Sequence, residues 1–217
     1  MRFAWMAVLV LAIGVGTAAQ DWPQWRGPNR DGVIPSFRAP ASWPTALKKQ
    51  WQIAVGTGYA TPIVVGNRMF VFTRQENDEV MTAFDARTAN VIWRSSYPAP
   101  FKMNPATAPH GPGPKSTPTF GGNRLFSLGI SGIVTAFDAD TGRTIWQKPA
   151  PAVEPLYHTG MSPVVLGNLV VFHVGGHDNG ALTAFDVATG EARWSWNGDG
   201  PAYGSPLVFD LSGPVRS

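Results

Sequence analysis

Cysteine is absent from the 217 residues, and charge is scarce: 17 Lys+Arg and 14 Asp+Glu account for 14% of the chain. Without cysteine there can be no disulfide, no thiolate metal ligand and no cysteine nucleophile. The lipid-attachment cysteine of a bacterial lipoprotein is missing for the same reason. The net charge is only +3, and no basic run is longer than Lys48-Lys49, so the electrostatic footprint of a nucleic-acid binder is lacking. Plentiful instead are 24 Gly, 20 Pro, 9 Trp and 12 Phe within a composition that is 44% hydrophobic. That is enough apolar material for a core, so the Gly and Pro punctuate many short elements of an all-β chain.

The N-terminus has the layout of an export signal: Arg2, an uncharged apolar stretch from Phe3 to Val15, then Gly16-Thr17-Ala18-Ala19 before Gln20-Asp21. The apolar stretch is shorter than the ~20 residues a bilayer-spanning helix requires. A signal peptide over 1–19 is therefore expected, with the remainder periplasmic or secreted and left without a stable membrane anchor.

An internal repeat dominates the rest of the chain. TAFDARTANVIW at Thr82 to Trp93 returns as TAFDADTGRTIW at Thr135 to Trp146 and as TAFDVATGEARW at Thr183 to Trp194, offset by 53 and 48 residues. Upstream, TPIVVGNRMFVF from Thr61, TPTFGGNRLFSL from Thr117 and SPVVLGNLVVFH from Ser162 also align, and Ser205-Pro206-Leu207-Val208-Phe209 opens a fourth unit. Each unit reads as four short strands. In the first, Pro62 to Val65 is a continuous apolar strand and Gly66-Asn67 supplies the positive φ angles of a tight hairpin. Arg68 to Thr73 returns, Val80 to Phe84 alternates, and Asn90 to Arg94 forms an outer strand carrying Trp93. Four antiparallel strands recurring every ~40 to 50 residues are the signature of propeller blades.

The spacing Ala136-x-Asp138-x-x-Thr141-Gly142-x-x-x-Trp146 resembles the tryptophan-docking motif of the pyrroloquinoline-quinone (PQQ) repeat β-propeller family. It recurs at Ala184, Asp186, Thr189, Gly190 and Trp194, and at Ala83, Asp85, Thr88 and Trp93, where Ala89 replaces the glycine. The family includes quinoprotein dehydrogenases, the propeller lipoprotein of the outer-membrane β-barrel assembly machine, and secreted bacterial proteins whose opening resembles Asp21 to Gly32. The resemblance implies an extension over 20–48 and a partial propeller over 49–217, with repeats near 59–96, 115–149 and 160–197 and the start of another at 203–217. Trp51, within Lys49 to Val55, matches the outer-strand Trp position and is expected to complete a further blade. About three blades and part of a fourth make an incomplete ring, so the chain is expected to be part of a propeller about twice as long.

The repeated Asp85, Asp138 and Asp186 are expected to cap turns by accepting N–H bonds from residues two and three positions on. Trp93, Trp146 and Trp194 are packing residues whose indole N–H needs a partner. Function is sought where the repeats differ. Three residues ahead of the aligned prolines stand Tyr59, Lys115, Gly160 and Tyr203, at the entrance to the innermost strand, where propellers border their channel. His158 is close by, and His110 sits in the Pro-rich stretch Tyr97 to Lys115 that joins two units across the same end. Tyr59, His110, Lys115, His158 and Tyr203 are the candidate ligand-binding residues. His173, His177 and Asp178 fall on a strand and a turn without a third ligand, which does not make a zinc site. No catalytic residue or metal site is assigned.

Two functions fit. The first is a non-catalytic extracytoplasmic scaffold binding a protein, peptide or carbohydrate, with no cofactor. The alternative is a fragment of a PQQ-dependent dehydrogenase acting on alcohols or aldoses. There the resemblance implies PQQ and a calcium ion in the channel and an aspartate taking the alcohol proton, but no acidic cluster suited to calcium is visible.

Overall fold

The computed structural model describes residues 20–201 and 203–209. The expected signal peptide at 1–19 lies outside the described residues, as do 210–217 of the fourth repeat.

Among the described residues twelve strands form three separate four-stranded antiparallel sheets. The first contains β1 (Ile63–Val65), β2 (Arg68–Gln75), β3 (Asp78–Asp85) and β4 (Val91–Pro98). The second contains β5 (Thr119–Gly121), β6 (Arg124–Leu128), β7 (Val134–Asp138) and β8 (Thr144–Lys148). The third contains β9 (Val164–Leu166), β10 (Leu169–Gly176), β11 (Asn179–Asp186) and β12 (Ala192–Gly198). Each is a simple meander, the blade that the repeat predicts. At Gly122-Asn123 both residues of the inner hairpin have positive φ, 57° each, but in the other blades only the glycine does (Gly66 59°, Gly167 58°). A turn with glycine first needs only one positive φ.

Strand alternation sends each sheet's two faces into different cores. Leu125 and Phe137 of the middle blade join Ile63, Phe70, Phe72, Met81 and Trp93 of the first. Phe126, Leu128, Val134 and Trp146 face the other way, onto Val170, Phe172 and Phe185 of the third. Full burial of such side chains stabilises by ~1.5–3 kcal/mol each, and the share made between blades is lost to a blade standing alone.

The recurring motif locks these interfaces. Ala83, Ala136 and Ala184 pair with Trp93, Trp146 and Trp194 across the outer strands, each beside a bulge. The small residue leaves room for the indole. Trp93 Nε1 then donates to the Ala139 carbonyl of the next blade at 3.1 Å, and Trp146 Nε1 to Val187 at 3.2 Å. The indoles lie on Gly142 and Gly190: a Cβ built on Gly190 falls 2.6 Å from Trp146 Cδ2. Asp138 Oδ1 holds its turn by accepting from Asp140 N, Thr141 N and Thr141 Oγ1. Asp85 does the same with Arg87 and Thr88, and Asp186 with the amides of Ala188 and Thr189. Ala89 takes the same left-handed conformation, φ 61°, as Gly142 (74°) and Gly190 (70°), with a methyl group where they have none.

A buried polar contact joins the first two blades. Glu79 is fully buried on β3, accepting from Tyr97 Oη at 2.8 Å and from Ile130 N of the middle blade at 2.6 Å. Burial pushes its carboxyl above the ordinary range, although both hydrogen bonds and the Arg74 charge pull it down. Asp186 is the opposite case, drawn down to about 2 by the Arg193 guanidinium, 2.9 Å away, and by the Thr189 and Ala188 amides.

Residues 49–55, which carry Trp51, form no strand, and the nearest pairing is the isolated bridge of Thr57 with Arg74 on β2. The blade that Trp51 is expected to complete needs strands beyond the three described sheets.

The interfaces generate two stability experiments. Gly190→Ala costs ~2–4 kcal/mol in urea unfolding, from left-handed strain plus displacement of the indole. Gly167→Ala, at φ 58° with open space around its Cβ, costs only ~1 kcal/mol; equal losses would refute the docking role. For Glu79, a raised folded pKa means its stabilising effect is complete below the ordinary carboxylate range and is lost as pH rises through the raised value. Glu79→Gln therefore flattens the decline in stability as pH rises above the ordinary carboxylate range, read from thermal midpoints. Asp186 sets the acid side, its contribution being lost as pH falls from the ordinary range towards about 2.

Candidate functional site

The entrances to the inner strands are tied together by hydroxyls that recur at one repeat position. Thr61 N donates to Thr117 Oγ1 at 3.1 Å, Thr117 N to Ser162 Oγ at 3.0 Å, and Ser162 N to Ser205 Oγ at 2.9 Å. Each residue precedes an aligned proline, so each blade's entry amide is satisfied by the next blade's hydroxyl. Tyr59 N and Ala60 N add bonds to the Pro114 carbonyl, at 2.8 and 3.1 Å. The ladder sets the residues two positions upstream side by side.

The inner edges below the ladder are occupied by the chain itself. Trp22 forms a two-bond antiparallel bridge with Val64 on β1, Phe120 N on β5 donates to the Pro23 carbonyl, and Gly66 N donates to Asp21 Oδ1. Arg30, 6% exposed, donates to the carbonyls of Ser162 and Pro163 and to Gln24 Oε1. The stretch from Asp21 to Arg30 thus clasps all three blades at their inner strands.

At the entry end lies a cavity of about 430 Å³, lined by Tyr59, Ala106, Thr107, His110, Lys115, Tyr157 and Tyr203. Ala106, Thr107 and His110 come from a 3₁₀ turn, Pro105–His110, whose N-cap Asn104 accepts from Ala106 N at 2.9 Å. The Pro-rich connection is thus partly ordered, and Tyr97 belongs to the end of β4. Tyr59 and His110 meet edge to face with centroids 6.1 Å apart. Tyr203 packs over Gly160, where a side chain would intrude: a built Cβ falls 3.2 Å from Tyr203 Cδ1. Lys115 Nζ donates to the Tyr157 carbonyl at 3.4 Å, and burial lowers its pKa. Tyr157 and Tyr203 also line an adjoining cavity of about 300 Å³ with His177, Asp178 and Asp199.

Four of the five residues singled out from sequence, Tyr59, His110, Lys115 and Tyr203, line the first cavity. His158 does not. It is 2% exposed, in a left-handed conformation (φ 65°), edge-on to Phe101, with both ring nitrogens lacking a protein partner. Burial, then the Lys115 charge, lowers its pKa, with Glu154 acting in the opposite direction. It borders a separate cavity with Lys102, Asn104 and Glu154. Sequence reasoning missed Tyr157, although it adjoins His158, and it missed Arg30, whose partners are more than 130 residues away.

His173 sits on β10 with Nε2 3.1 Å from the Asp199 carbonyl, and His177 contacts Asp178 in the exposed turn. Among the described residues no three His, Asp or Glu side chains converge as a metal site, and the lining of the entry-end cavity carries no carboxylate. These residues do not fit a calcium ion that needs six to eight oxygens.

A family model described as outer membrane protein assembly factor BamB matches residues 79–209. The methanol dehydrogenase subunit 1 of Paracoccus denitrificans is 25% identical over 186 residues, covering 77% of this chain and 28% of that protein. BamB of Shewanella oneidensis is 28% identical over 153 residues, covering 68% of this chain and 36% of its own length. The crystal structure of quinohemoprotein alcohol dehydrogenase from Comamonas testosteroni superposes with a TM-score of 0.58 at 22% identity, over 83% of this chain and 27% of that one, a likeness of fold. The chain spans about a quarter to a third of the length of these relatives.

Replacing Arg30 by Met removes three charge-assisted bonds, two of them buried, and is expected to cost ~2–4 kcal/mol. Hydrogen exchange should show the Val64 and Phe120 amides, which bond to Trp22 and Pro23, losing protection first. Unchanged protection there would mean that Arg30 does not hold the clasp.

Proposed function

The chain belongs to the PQQ-repeat β-propeller family whose model is described as outer membrane protein assembly factor BamB, and on that premise we propose that it is a non-catalytic extracytoplasmic scaffold that binds its ligand in the entry-end cavity. One observation carries the reading: the repeat position three residues ahead of the aligned prolines, which differs between repeats while the Thr or Ser before each proline recurs, holds Tyr59, Lys115 and Tyr203, and all three line one cavity. A repeated framework with a divergent rim is how a rigid scaffold acquires a binding site. The lining supports binding over chemistry, since it pairs no nucleophile with a base and contains no carboxylate. Export is supported by the layout of Met1 to Ala19. Among the described residues no helix is long and apolar enough to cross a membrane.

The similarity to a methanol dehydrogenase subunit favours a second reading, part of a PQQ-dependent dehydrogenase. The described residues offer no calcium site, and no catalytic step is derived through that cofactor.

Reconstitution separates the two. The purified protein, incubated with PQQ and calcium and then gel-filtered, is expected to retain no quinone absorbance and to reduce no dye with methanol, ethanol or glucose. Retained quinone together with substrate-dependent dye reduction would establish the dehydrogenase instead.

A further inference from the structure

Three tyrosines reach the entry-end cavity from separate parts of the chain: Tyr59 ahead of β1, Tyr157 between β8 and β9, and Tyr203 beyond β12. They are 60%, 42% and 54% exposed. Three large rings converging on one concavity while half in water form a platform that a ligand would cover. A phenol ring is suited to the C–H face of a sugar ring, and its hydroxyl can bond at the rim.

The electrostatics narrow the choice. Lys115 is the only permanently charged side chain in the lining, and among the described residues it has no carboxylate within ion-pair distance. It is half-buried, and its one hydrogen-bond partner is the Tyr157 carbonyl. A partly desolvated, unpaired ammonium favours an anionic group on whatever binds, and its lowered pKa has the same cause. Across Tyr157 and Tyr203, the adjoining cavity presents Asp178 and Asp199. Those carboxylates would repel a second anion but can accept from neutral hydroxyls.

An extended peptide is disfavoured, because peptides that add to a sheet need a free strand edge. The inner edges of β1 and β5 are already bonded to Trp22 and Pro23. The walls here are side chains.

We infer that the ligand is an acidic oligosaccharide, with one sugar ring on the tyrosine platform, its carboxylate on Lys115, and neutral hydroxyls of the next residue towards Asp178 and Asp199. The inference rests on the binding reading above and adds the ligand class to it.

The test is calorimetric titration of the full chain with tetrasaccharides in which galacturonate or glucuronate alternates with a neutral sugar, and with their carboxyl-reduced counterparts. Saturable binding of at least one uronide is expected, weakened about tenfold or more by carboxyl reduction and by Lys115→Met. Tyr203→Ala should weaken both the acidic and the reduced forms. Each variant's thermal midpoint is measured alongside, and Lys102→Met, a lysine outside this cavity, serves as the control that binds normally. No binding of any uronide by the folded protein, equal binding of the reduced sugars, or undiminished binding by a folded Lys115→Met variant would each overturn the assignment. A protein inert to uronides and also to PQQ loses only this inference. One that retains PQQ and reduces dye loses the scaffold reading itself.

Discussion

A blade with two apolar faces cannot be stable by itself, and everything else in this molecule depends on how one blade is fastened to the next. The fastening is an indole laid on a turn that has no side chain. Trp93 and Trp146 each bury a ring on the following blade and donate to a carbonyl there. Glycine lets the ring approach, and the aspartate one turn earlier holds the loop in the shape that aims the carbonyl. This one contact accounts for four landmarks of the repeat at once: the alanine opposite the indole, the aspartate, the glycine and the tryptophan.

The second fastening lies at the other end of the blade and has functional weight. Because the entry amides bond to hydroxyls of the next repeat, the inner strands start in register and the residues just upstream are brought together. The framework stays constant there while the side chains two positions earlier vary. A tyrosine, a lysine, a glycine and another tyrosine therefore share one rim, with the glycine giving room to the second tyrosine. The clasp by Asp21 to Arg30 closes the inner edges, so the site is built from side chains at the rim instead of strand edges.

Local spacing made much of this readable in advance. Asp138 and Thr141 interact within four residues, so the turn could be inferred from the string alone, and the hairpins followed from Gly-Asn pairs between apolar runs. The rim was readable only because the repeat aligned it: Tyr59, Lys115 and Tyr203 are distant in sequence but equivalent in position. Contacts between non-equivalent segments left no such trace. Arg30 bonds across more than 130 residues to carbonyls, which carry no side-chain signature. Glu79 is likewise held by a backbone amide of another blade, Ile130 N, 51 residues away. Tyr157 had no counterpart in the other repeats. Trp51 has the familiar spacing, but its segment forms no strand where none of the three described sheets stands beside it.

Ala89 gives the array a direction. The turn that receives an indole in the second and third blades is filled by a methyl group in the first, while Trp194 in the third presents an indole that is 44% exposed. The first blade's turn therefore differs from the other two by a single carbon, at the position on which an indole lies in the second and third.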